Sequence, residues 1–264
     1  MMAYYVDLYL TYIRFAFKSV AQYRADFAIA FVTSMLHTGS TLVFLAVIFA
    51  NIPRLAGWSF HEMLLIWGLA ETAVNLGNTF FDVPHRMYAY VQRGEMDRLL
   101  VRPLSPLMQI AGESGITLTA LGRVLVGVAA ILIALAALRD QLPWWAALYL
   151  PLVIISSTLL HFSVQLLLSC LSFWFVNTVS LLQTMAWMNR FGQYPVTILA
   201  LPLQFLFTWV LPYAMLGFYP AAFLLRGDEY QLYGLLAPLM GFIFLGLSLR
   251  VWQVAIRHYQ STGS

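Results

Sequence analysis

Between Gln141 and Asn189 the chain runs for 49 residues without an Asp, Glu, Lys or Arg, and after Arg190 come 35 more. A soluble fold does not tolerate uncharged stretches of that length, because its surface elements need a polar face. A bilayer demands them: one helical crossing of a core ~30 Å thick takes ~20 mostly apolar residues. Composition agrees. Of 264 residues, 61% are hydrophobic and 9% charged, with a mean hydropathy of +0.79, whereas ordinary soluble domains are about 25% charged. A soluble enzyme and a disordered chain are thereby excluded, and the single cysteine, Cys170, excludes a disulfide scaffold. The chain reads as an all-α integral membrane protein with one transmembrane domain over 1–264.

The charges that remain bracket six expected transmembrane helices, at 27–49, 62–82, 113–138, 146–175, 178–200 and 231–252. Basic residues in short loops set orientation. Arg14, Lys18, Arg24, Arg86, Arg93, Arg98, Arg102, Arg250 and Arg257 fall on one side, and only Arg54, Arg139 and Arg226 on the other. Both termini are therefore expected in the cytoplasm. Before the first span, Val6, Leu10, Ile13, Phe17 and Val20 recur at helical steps, with Arg14 and Lys18 beside them. This pattern predicts an N-terminal interfacial helix over 1–25, lying against lipid headgroups.

The fifth crossing admits two readings. In one, 177–193 is a cytoplasmic amphipathic helix and the span follows it. In the other, the span starts near Thr178 and breaks around Gly192–Pro195, leaving 202–225 as re-entrant helices before span 6. Pro195, Pro202, Pro212 and Pro220 punctuate this run, each removing a backbone donor. Non-helical backbone at membrane depth needs protein or water to satisfy it. The proline spacing favours the second reading, with these four as helix breaks.

Catalytic signatures are missing. His61-Glu62 is followed by Met63-Leu64, so no HExxH pair forms, and there is no GxSxG elbow. The only lysine, Lys18, lacks the glycines of a phosphate-binding loop. Any ATP hydrolysis must occur on another polypeptide.

Two groups of residues stand out. The loop 85–107 mixes charges with Met96, Leu99, Leu100 and Val101, with Gly94 and Pro103 bracketing a short helix. It suits a docking element packed through Leu99 and Leu100, or else a surface loop whose arginines only fix topology. In the second span, Glu71, Asn75 and Asn78 share one helical face, and Arg123 lies inside the third. They fit either a polar lining of a translocation path or hydrogen bonding between helices. Glu71 is the expected partner of Arg123.

The run Gly94-Glu95-Met96-Asp97-Arg98-Leu99-Leu100-Val101-Arg102-Pro103-Leu104-Ser105-Pro106-Leu107 resembles the signature of ABC-2-type permeases, the membrane subunits of ATP-binding-cassette exporters. Tyr194-Pro195, Leu211-Pro212, Tyr219-Pro220-Ala221 and the terminal Arg257–Gly263 also match that pattern, so the likeness spans essentially the whole chain. The resemblance implies six spans, an interfacial helix, a cytoplasmic coupling helix between spans 2 and 3, and re-entrant helices before span 6. It further implies a cell-membrane complex of two permeases, identical or related, with two ABC ATPase subunits that carry the ATP and Mg. This chain would then hold no cofactor of its own and bind no nucleic acid, only membrane lipid and its protein partners. Arg86, Arg93, Gly94, Glu95, Asp97, Arg98, Arg102 and Pro103 would contact the ATPase. The substrate expected from the aromatic-rich composition is hydrophobic or amphipathic. Two other classes compete: an ATP-independent carrier or channel, and a membrane-embedded lipid enzyme.

Overall fold

A computed structural model describes residues 2–114, 116–175, 183–184 and 187–259. Eleven α-helices are used below: α1 Met2–Gln22, α2 Arg24–Asn51, α3 Phe60–Phe80, α4 Val83–Gln92, α5 Met96–Leu100, α6 Pro106–Ser114, α7 Leu121–Leu138, α8 Ala146–Cys170, α9 Leu201–Phe205, α10 Phe218–Arg226 and α11 Gln231–Arg257. Among the described residues there is no β-strand.

Among the described residues, four helical stretches are long and apolar enough to cross a membrane: Arg24–Asn51, Leu118–Leu138, Ala146–Phe173 and Phe218–Arg257. That is fewer than the six expected, for two physical reasons. The second expected span, α3, has 21 residues and at 1.5 Å per residue reaches about 31 Å, yet Glu62, Glu71, Asn75 and Asn78 make it too polar to qualify by hydropathy. Of the fifth, 176–182 and 185–186 lie outside the described residues, and the part after Met188 is broken into short 3-10 turns, Asn189–Gln193 and Val196–Ile198. The third expected span begins at Leu118 and not at 113, since Glu113 lies in the separate helix α6.

Helix α3 is the axle of the bundle. Met63, Leu65, Ile66, Leu69, Ala70, Ala73 and Thr79 on it are fully enclosed, and α7 and α8 pack along it. Its N-terminus is fixed by Glu62, whose Oε2 accepts the Ser59 backbone N–H at 2.6 Å, as in a capping box. Small residues set the crossings. A Cβ on Gly68 would lie 3.0 Å from the Gly127 carbonyl, and one on Gly127 would lie 2.5 Å from Thr72 Oγ1, so the α3 and α7 backbones nearly touch. At the α8–α11 crossing, Ser156 Oγ donates to the Ala237 carbonyl at 2.7 Å and accepts the Gly241 N–H at 3.0 Å. A Cβ on Gly241 would collide with the Ser156 backbone.

The proline-rich run folds against the start of α3. Pro195 sits in extended backbone between two 3-10 turns, Pro202 opens α9, and Pro212 separates a π-helical turn from the 3-10 turn Tyr213–Met215. Pro220 differs from the expectation: it lies in the first turn of α10 and so begins a helix instead of breaking one, a position whose N–H has no helical partner anyway. Tyr213, Met215, Leu216 and Phe218 from this run are fully buried in the core. At that end Arg226 stacks on the Trp58 ring at 3.6 Å and donates to the Gly57 carbonyl at 3.1 Å.

Candidate functional site

At the opposite end, α4, α5 and α6 form a compact cap. Gly94, at φ 68°, takes the left-handed turn that separates α4 from α5. Beneath the turn lies a separate small core in which Met87, Tyr90, Met96, Leu99 and Ile110 pack on Leu166 and Cys170 of α8 and on Trp252 and Ala255 of α11. Gln109 secures the end of α5: its Nε2 donates to the Leu99 carbonyl at 2.8 Å and to the Leu104 carbonyl at 2.9 Å. Tyr259, just past α11, stands beside Asp97; burial and the adjacent carboxylate raise its pKa. Helix α1 is tied to this end by Tyr9, which donates to the Phe80 carbonyl at 2.7 Å.

The outer face of the cap is charged. Arg86, Arg93, Asp97, Arg98, Arg102 and Pro103 are exposed, while Gly94 and Glu95 are half-buried. Arg93 Nη1 and Glu95 Oε1 are 3.9 Å apart, an open surface pair of little energetic weight. The expected packing role of Leu100 is not seen. It is 44% exposed and Val101 84% exposed, because neighbouring helical residues point about 100° apart and only Leu99 faces inward. Two apolar side chains thus stand among arginines on an outer surface.

The second assembly lies midway along α3. Asn75 Nδ2 donates to Glu71 Oε1 at 2.8 Å, with Thr38 Oγ1 of α2 at 3.5 Å from the same oxygen. Gln193 Nε2 donates to Glu71 Oε2 at 2.6 Å. Asn78 Oδ1 is 3.1 Å from His161 Nε2 of α8. Arg123 is half-buried on α7 and lines the same cavity as Glu71, but no direct ion pair joins them among the described residues: both Glu71 oxygens are occupied by uncharged donors. Arg123 and Arg190 are nonetheless both near enough to Glu71 to attract it, Arg123 the more strongly, and Arg190 lines that cavity with Trp187 beside its guanidinium at 5.4 Å. Gln193, Thr38 and Trp67 of this site escape sequence reasoning. Gln193 is 122 positions from Glu71, and no local signal links the two.

Three spaces among the described residues lead outwards from this cluster, each meeting the next. A cavity of about 230 Å³ is walled by Thr38, Trp67, Glu71, Arg123, Arg190 and Gln193, among others. A cleft of about 630 Å³ shares His37, Asn75, Asn78 and Arg123 with it and reaches Asp26 and Asp82. A groove of about 700 Å³ follows under α1, with Phe15, Val20, Phe27, Ile116 and Leu118 in its walls.

No curated protein and no solved structure matches the chain significantly. A family model does: residues 35–263 match the ABC-2 family transporter protein model. That stretch takes in α3, the cap, the polar cluster and α11, on a bundle whose long apolar helices make it a multi-pass membrane protein. The chain therefore belongs to the ABC-2 family of transporter proteins, as a membrane component of transport and not a catalytic one.

Proposed function

We propose that this chain is the permease subunit of an exporter of the cell membrane, forming half of the translocation path and coupled to a separate ATPase. The observation that carries the reading is the cap. Its inner side is a closed apolar core on α8 and α11, and its outer side presents Arg98, Arg102, Leu100 and Val101 to solvent. An element greased on one side and both charged and apolar on the other suits docking to a soluble partner. Because α3 runs into α4 through Phe81 and Asp82 alone, force applied to the cap reaches the centre of the bundle.

In this reading the basic end is cytoplasmic, both termini face the ATPase side, and α3 is the second of six crossings. Two ATPases bearing ATP and Mg clamp a pair of permeases, identical or related. The polar face of α3 borders the path of a hydrophobic or amphipathic substrate.

Native mass spectrometry of the gently extracted complex, with ATPase activity measured on the same sample, tests this. Two permease chains with two ATP-hydrolysing chains are expected. A lone chain or a simple oligomer of it without ATPase activity overturns the reading in favour of an ATP-independent carrier or channel.

A further inference from the structure

The cavity beside Glu71 is over-supplied with donors. The Trp67 side chain is 2% exposed, and its Nε1 has no hydrogen-bond partner among the described residues; Arg123 Nε has none either. An indole N–H only donates, and a guanidinium stays charged at every accessible pH. Arg190 adds a second guanidinium at the rim. Among the described residues the one acid in the walls is Glu71; it receives Asn75, Thr38 and Gln193, and Arg123 and Arg190 attract it without bonding to it. A buried donor without an acceptor is costly, and so is a surplus cation in a cavity walled by an apolar bundle. Two guanidiniums set against one acid leave the cavity with a cation to spare.

The neighbouring spaces say what kind of anion would balance it. From the cavity the cleft leads past Asn75 and Asn78 to Asp26 and Asp82, and through Asp26, Ala30, Thr117 and Thr119 it meets the apolar groove under α1. Negative charge is disfavoured beside the two aspartates, so a head group is stable only beyond them, at Arg123 and Arg190. Phe15, Val20, Phe27, Ile116 and Leu118 offer an alkyl chain the contacts it would otherwise find in lipid. We propose that the spaces between α1, α2, α3 and α7 bind an amphiphile with one anionic head group, its head held by Trp67, Arg123 and Arg190 and its tail in the groove. This deepens the transport reading by naming the class of molecule carried.

The test uses the full chain in dodecyl maltoside, with native mass spectrometry counting bound dodecyl phosphate. Because no ATPase is needed, its outcome is independent of whether one co-purifies. One dodecyl phosphate per chain is expected. Arg123→Gln, which removes a charged donor, should weaken its retention at least about tenfold. Trp67→Phe keeps a ring in place but deletes the N–H, and should weaken retention about 2- to 10-fold; it decides the matter if Arg123→Gln does not fold. Arg139→Gln, on an exposed turn distant in sequence from these walls, should change nothing. Equal retention of dodecyltrimethylammonium overturns the proposal, as does unaltered binding in both site variants. Inorganic phosphate held as tightly as dodecyl phosphate overturns the amphiphile, since the tail then contributes nothing.

Discussion

Gln109 offers a sharp test of whether the cap is a rigid element. Its side-chain amide is the clasp at the end of α5, bonding the Leu99 and Leu104 carbonyls at 2.8 and 2.9 Å. Replacing it by leucine removes two hydrogen bonds, each worth about 0.5–1.5 kcal/mol. One opposing effect follows from the same geometry: Gln109 Oε1 is buried with no partner among the described residues, and the leucine relieves that unmet acceptor. The net loss should therefore fall near about 1–2 kcal/mol of local stability. A factor of ten corresponds to about 1.4 kcal/mol, so the local opening constant rises about 5- to 30-fold. Hydrogen–deuterium exchange on the peptide covering 96–108 reads this directly, with a peptide from the middle of α8 as internal control. Faster exchange confined to the cap is the expected result. Unchanged protection there means that the clasp holds nothing and that the small core under Leu99 alone sets rigidity. Equal acceleration in α8 means that the variant has loosened the whole bundle, which also refutes the local argument.

Three further outcomes follow from particular contacts. Arg98→Glu, on the exposed face of the cap, should reduce retention of the partner ATPase in a pull-down at least about tenfold by reversing a docking charge; undiminished retention with unchanged transport removes the docking role. Gly241→Leu forces a side chain into the Ser156 backbone and should cost about 1–3 kcal/mol or more, lowering the melting midpoint in detergent by about 2–10 °C. Tyr9 is held at the Phe80 carbonyl and burial pushes its pKa up to about 12. The raised pKa belongs to the folded state, so its stabilisation is complete below the ordinary tyrosine value near ~10 and is lost as pH climbs through about 12. In an ultraviolet titration, Tyr9→Phe should abolish a late-ionising tyrosine, and an unaltered curve counts against the anchor.

What the sequence made legible were features with a local cause. Gly94 and Pro103 bracket α5 because a positive φ and a missing N–H act on their immediate neighbours. Glu71, Asn75 and Asn78 share a face because they are separated by helical steps. Pairing across the chain left no such trace. Arg123 and Glu71 share a cavity, yet Glu71 is taken by Gln193, the last residue of the 3-10 turn Asn189–Gln193 that packs against α3. Leu99 and Leu100 are equivalent in composition, and only the rotation of α5 over Trp252 and Leu166 decides that one is buried and the other outward. Hydropathy scores α3 low because it counts Glu71, Asn75 and Asn78 as if they faced water, whereas α2, α8 and the 3-10 segment give these three side chains protein partners.

The two assemblies are mechanically one. Asn78, bonded to His161 of α8, sits two residues before the end of α3, and α4 begins three residues after Phe80. Tilting the cap therefore loads the lower end of α3 first, and His161 resists it. Glu71 lies about two turns higher on the same rigid helix. Its bond to Gln193 spans 2.6 Å, and an N–H···O contact is lost by about 3.5 Å, so a slide of ~1.5 Å along that bond, one residue's rise, would break it. Glu71, freed of one neutral donor, then has a vacant oxygen in a cavity that Arg123 and Arg190 also line. An acid that turns to the two arginines competes with any anion they hold. On the reading proposed above, movement of the cap would thus weaken an anionic ligand at the centre of the bundle by freeing Glu71 to compete for the two arginines.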